Sequence, residues 1–151
     1  MSARDRLTAL GLELPPVANP AAAYQPHTSA GGFVFTAGQL PVVDGALVRA
    51  GKLGADLDTT EGAELARTAA LNVLAIADAV AGLDRVRVVK VTVFVASAPD
   101  FTEQHLVANG ASELLGEVLG DAGVHARSAV GVAVLPMDAP VEVEAVLEPL
   151  G

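Results

Sequence analysis

Arg127 is the only lysine or arginine after Lys90, and the 61 residues that follow Lys90 set nine acids against it: Asp100, Glu103, Glu113, Glu117, Asp121, Asp138, Glu142, Glu144 and Glu148. It lies within Val124-His125-Ala126-Arg127-Ser128-Ala129-Val130, at the mouth of an apolar run where arginine is a poor filler. Two roles fit it. A guanidinium here either forms a structural ion pair with one of the nine acids or clamps a substrate carboxylate through two parallel N–H bonds. A pocket around it would favour the second. Glu142 and Glu144 alternate with valine, so they share one face of a strand. Such a pair could do acid–base work, and a solvated strand edge explains the same pattern. His27, His105 and His125 share no metal-ligand spacing and read as surface or capping imidazoles, so no metal site is expected. No dinucleotide, phosphate-loop, nucleophile-elbow or zincin motif is present.

Composition limits the partners. The chain has 151 residues, nine Lys+Arg against eighteen Asp+Glu, and a formal charge of −9. Nucleic acid and anionic membrane surfaces both demand clustered cations, so neither is expected as a partner. The chain is 52% hydrophobic with no cysteine, which fits one core-forming domain in a reducing, cytoplasmic setting. The longest uncharged stretch, Leu14 to Val43, holds Pro15, Pro16, Pro20, Pro26 and Pro41, so it cannot be a spanning helix. The amino terminus shows no apolar signal core.

Several elements must position these side chains. Residues 2–10 read as a short amphipathic helix closed by Gly11, within an amino-terminal extension of about twenty residues. Phe33 to Thr36 reads as a strand, with Ala46 to Arg49 its return across an Asp44-Gly45 turn. Asp58 and Glu61 form a capping box for a long helix from Thr59, with Leu65, Ala69, Val73, Ala77 and Val80 on one stripe and Gly82 past its end. Val86 to Ala96 reads as a strand with Val89, Val91, Val93 and Val95 on one face and Lys90, Thr92, Phe94 and Ala96 on the other. A second helix follows Asp100 and stops near Gly120. Ser128 to Val134 and Val141 to Leu147 are the last two strands. Two long helices can cover only one face of such a sheet. The other face, with Glu142, Glu144, Thr92 and Phe94, is expected to be completed by another subunit.

The segment from His125 to Pro136, followed by Val141-Glu142-Val143-Glu144-Ala145, resembles the carboxy-terminal signature of the Rid superfamily, the reactive-intermediate deaminases also called the YjgF family. Phe35-Thr36-Ala37-Gly38-Gln39-Leu40-Pro41 is similar to its "SGQ[IL]P" turn, and Val91 to Val95 to its central strand. The match runs from about Tyr24 to Ala145 and resembles a longer-chain branch of about 150 residues. The resemblance implies a chorismate-mutase-like α+β fold, with a mixed sheet and two long helices on one face. It also implies a homotrimer with clefts between subunits, and cofactor-free hydrolysis of 2-imino and enamino acids to 2-keto acids and ammonia. By position, it implies that Arg127 grips the substrate carboxylate and Glu142 positions or activates water. Tyr24, Gly38, Asn109 and Ala129 then line the substrate. Ala37 and Ala129 depart from the usual serine and cysteine, which removes one hydroxyl contact and leaves a main-chain contact.

A non-catalytic sensor of small carboxylates or 2-keto acids would use the same cleft, and it is the alternative. The charge argues against a ribonuclease, and one arginine is thin provision for a chorismate-type dicarboxylate. A simple hairpin of the last two strands would pair Glu142 near Ala133 and leave Arg127 roughly 20 Å away at about 3.3 Å per residue. The residues therefore predict that these strands are not hairpin neighbours, or that the cleft spans two subunits.

Overall fold

The first helix, α1 (Ala3–Ala9), is short but doubly capped: Ser2 Oγ accepts from Asp5 N at 3.0 Å, and Asp5 Oδ2 accepts from Ser2 N at 2.9 Å. Ala3 and Leu7 are buried on its inner face. The computed structural model describes residues 1–18 and 23–151. Pro20 of the proline-rich segment lies outside the described residues.

Strands β1 (His27–Ala30) and β2 (Phe33–Thr36) form an antiparallel hairpin across Gly31-Gly32, whose φ values are 60° and 85°. Two successive positive φ values suit a two-residue turn that matches strand twist, and glycine supplies them without strain. A second hairpin, β3 (Val42–Val43) and β4 (Ala46–Leu47), closes on Asp44-Gly45. This corrects the expected return of residues 46–49 onto Phe33–Thr36. A two-residue turn pairs only its immediate flanks, so each strand found its local partner instead.

Helix α2 (Thr59–Ala81) starts at the expected box, with Asp58 Oδ1 accepting from Glu61 N at 2.8 Å. Strand β5 (Val86–Ala96) follows, then α3 (Gln104–Leu119), β6 (Ala126–Val132) and β7 (Val141–Pro149). The five-stranded sheet runs β1-β2-β7-β5-β6, with β5 and β6 parallel and every other pair antiparallel. Helix α3 is thus the crossover between β5 and β6. The last two strands are not neighbours, because β5 lies between them.

Two strand expectations need correction. The register of β5 on β7 jumps between Val88 and Lys90, so Val89 is an extra, bulged residue. Val86 and Val88 fill the helix-covered face before the bulge, and Val91, Val93 and Val95 fill it afterwards. A run of alternating and doubled valines does not reveal where the extra residue falls. Strand β6 also begins at Ala126 rather than Ser128, since Lys90–Ala96 pairs with Ala126–Val132 residue for residue. Arg127 is therefore inside the strand.

Both long helices pack on one face. Leu65, Ala69, Val73, Leu74, Leu114, Leu115 and Val118 meet Val91, Val93, Val95, Val141, Val143 and Leu147 in one core. Each fully buried valine or leucine contributes about 1.5–3 kcal/mol. The uncovered face carries Lys90, Thr92, Phe94, Glu142, Glu144 and Phe35, with Phe35 45% exposed. Among the described residues, no helix is long and apolar enough to cross a membrane.

Candidate functional site

Arg127 pairs with Val91 on β5, and Val91 is fully buried beneath the helices, so the guanidinium points to the helix side at the sheet's edge. There it meets α3. Its Nη1 donates to Asn109 Oδ1 at 2.9 Å and to Ser112 Oγ at 3.1 Å, and Nη2 donates to the His105 carbonyl at 3.2 Å. Among the described residues it forms no ion pair, although nine acids share its half of the chain. Three of five donors are held by neutral acceptors. Nε–H and one N–H of Nη2 remain, the number that a bidentate carboxylate takes up. Ala129 pairs with Val93 on the same face, one alternation along β6.

Glu142 pairs with Phe94, so it stands on the uncovered face. Its carboxyl is pushed above the ordinary value of 4.5, first by burial and second by repulsion from Glu144 two residues on. Gly38 lies against it. The chain after β2 continues beside β7, with Gln39 N donating to the Val143 carbonyl at 2.8 Å and Val143 N to the Gln39 carbonyl at 2.9 Å. Phe35 pairs with Val146 and Gln39 with Val143, so four steps on one strand face three on the other. That extra residue turns Gly38 toward Glu142, and a Cβ on Gly38 would overlap the Glu142 carboxylate.

Tyr24 sits in a bend ahead of β1, 53% exposed and without a hydrogen bond among the described residues. Pro26, two residues on, accepts from Ala37 N at 2.8 Å, which places this segment on the Gly38 side of the sheet. The structure thus brings Arg127 to Asn109 and Ala129, and Glu142 to Gly38. It does not bring the two clusters together within one chain. Two hollows of about 430 Å³ and 110 Å³, one at Gly54–Thr59 and one beside Lys90 and Glu144, contain neither Arg127 nor Glu142.

Sequence reasoning missed Ser112 and read His125 only as a surface or capping imidazole. The signal was present: Asn109 and Ser112 are three apart on a helix, hence on the same face as the arginine they hold.

The fold and these two clusters define a chorismate-mutase-like α+β protein with an arginine-centred polar cluster at a sheet edge. The chain belongs to the YjgF/Rid family: the family profile described as "YjgF/chorismate mutase-like, putative endoribonuclease" matches residues 4–147. Protein TCP17 of Trypanosoma cruzi is 50% identical over 145 residues, covering 94% of this chain and 91% of that protein. A crystal structure from Shewanella oneidensis, titled a putative endoribonuclease, superposes with a TM-score of 0.94 at 33% identity, over 98% of this chain and 99% of that one. E. coli TdcF, crystallised with bound serine, gives a TM-score of 0.60 at 27% identity, over 89% and 93% of the two chains.

Proposed function

We propose that the protein hydrolyses 2-imino and enamino acids to 2-keto acids and ammonia in a cleft formed where two copies meet. The observation that carries this is the state of Arg127: a guanidinium fixed by Asn109, Ser112 and the His105 carbonyl and, among the described residues, free of carboxylate partners with two donors left over. The serine bound in TdcF also carries a carboxylate, in keeping with a small-acid ligand. One chain offers the Arg127 cluster on the covered side of an edge strand and the Glu142–Gly38 cluster on the open face. A closed ring of copies presents one cluster of each kind at every interface. The partly apolar open face, with Phe35, Phe94 and Val130, is the surface such a ring would bury. Three copies are the number we propose.

The chemistry is short. Arg127 holds the carboxylate and so fixes C2 of the imine. Water attacks C2 of the protonated imine while Glu142 accepts one of its protons, giving a neutral carbinolamine. That proton passes to the nitrogen, and as the C–N bond breaks and ammonia leaves, Glu142 takes the hydroxyl proton and the C=O forms. Burial raises the proton affinity of Glu142, which suits a group that must first take the proton and then return it. Tyr24, Gly38, Asn109 and Ala129 are assigned to the cleft wall.

An amino-acid oxidase generating the imine in the presence of semicarbazide provides the test. Wild type should suppress semicarbazone formation, and Arg127→Ala should not. No suppression by a folded oligomer across several imino acids would replace hydrolysis with the second reading, a carboxylate-binding sensor. Serine in TdcF, a carboxylate that is no imine, is the observation behind that reading.

A further inference from the structure

His125 and Ser112 form a directed chain that ends on Arg127. His125 Nδ1 lies 2.6 Å from the Gly123 carbonyl oxygen, and Nε2 lies 2.9 Å from Ser112 Oγ. A carbonyl can only accept, so Nδ1 carries the proton, and the Nε2 of a neutral ring is left as an acceptor. The Ser112 hydroxyl must then donate to Nε2, which turns its lone pairs toward the Arg127 Nη1–H at 3.1 Å. Each bond fixes the direction of the next. The base of the chain is built into the core: Gly123 is buried against α3, where a Cβ would overlap the Leu115 carbonyl. Its carbonyl is thus held in place under the imidazole.

Resting on the carboxylate-clamp reading of Arg127, we propose that His125 is a positioning residue, acting through Ser112 to hold the guanidinium so that its two free donors face the substrate carboxylate. A mid-helix serine without such a partner tends to donate to the carbonyl four residues back, here Ala108, and so loses its fixed orientation. Without His125, the serine loses the acceptor that sets the direction of its lone pairs.

The test pairs kinetics with spectroscopy on the full chain. His125→Ala and Ser112→Ala should each raise KM and the Kd for 2-ketobutyrate by about tenfold, with kcat changed less, as expected for a lost hydrogen bond that orients a charged donor. The double variant should be no worse than either single one, because both cut the same chain. His125→Gln, whose amide can accept from Ser112 and donate to the Gly123 carbonyl, should recover part of the loss. Nitrogen NMR of the ligand-free protein should show the Nδ1–H tautomer of His125 and a slowly exchanging Arg127 Nη1–H signal, held by Asn109 and Ser112, that broadens in His125→Ala. Additive effects, unchanged KM and Kd in folded variants, or an Nε2–H tautomer would overturn the proposal. If wild type neither turns over imines nor binds 2-ketobutyrate, the clamp reading fails on its own. The NMR arm then still decides the chain, since an Arg127 signal indifferent to His125 would refute it.

Discussion

Arg127 and Glu142 stand on opposite faces of the same sheet. Arg127 is level with Val91 and Ala145, whereas Glu142 is level with Phe94 and Val130. They are thus offset by three positions along β5 and separated by two inter-strand spacings, with β5 between them. That is roughly 10 Å in each direction, with the side chains pointing apart. No rotamer of either brings both onto one small substrate within a chain.

Cross-subunit catalysis therefore predicts complementation. Arg127→Ala and Glu142→Gln proteins should each be inactive alone. Refolded together at equal ratio, random mixing in a closed ring places an intact arginine beside an intact glutamate in about a quarter of the clefts. Recovered imine hydrolysis near that fraction is the expected result. A mixture as inactive as its components would mean that each chain works with its own pair.

At Arg127 geometry should matter beyond charge. Arg127→Lys keeps a cation but cannot fork onto a carboxylate or reach Asn109 and Ser112 together. The expected loss in kcat/KM is about 10²-fold for a lost bidentate contact, with Arg127→Ala lower still and the thermal midpoint of both little changed.

Glu142 links activity to stability. Its proton affinity is raised in the folded protein, so between the ordinary value of 4.5 and the folded one the native state binds more protons than the unfolded state. Stability is then fully present below that window and falls as pH rises through it. Glu142→Gln should flatten this segment of a thermal-midpoint curve against pH and be the more stable protein at neutral pH. The same variant should lose about 10²–10⁴-fold in kcat, the usual worth of a general base.

Gly38→Ala separates position from identity. The new Cβ displaces the Glu142 carboxylate, a flexible group that can move aside. Imine hydrolysis should drop at least tenfold on the order of a 1 Å misplacement, while the denaturation midpoint holds.

Gly110→Ala tests the helix pair. Its Cβ would overlap the Ala63 backbone carbonyl on α2, which cannot swing away as a side chain can. Denaturant titration should show a loss of about 1–3 kcal/mol from overpacking.

The sequence alone determined the local structure. The short helix at the amino terminus, the capping box at Asp58–Glu61, the apolar stripe of α2 and the valine alternation after Lys90 are short-range signals, and each appears where its spacing places it. The sequence also singled out Arg127, because a lone cation in an acidic, apolar setting stands against its surroundings. Asn109 and Gly38 came only through family resemblance. What decided the rest was pairing between distant segments. The bulge at Val89, the insertion of β7 between β2 and β5, and the parallel seat of β6 are set by which strands bury the most surface together, and period-two patterns are blind to that choice. Those same pairings put Arg127 under the helices beside Ser112 and His125, and Glu142 on the open face beside Gly38. The strand pattern already set Glu142 on the face opposite the buried valines, whereas only the assembled sheet, by seating Arg127 level with Val91, decided that the two groups lie on opposite faces.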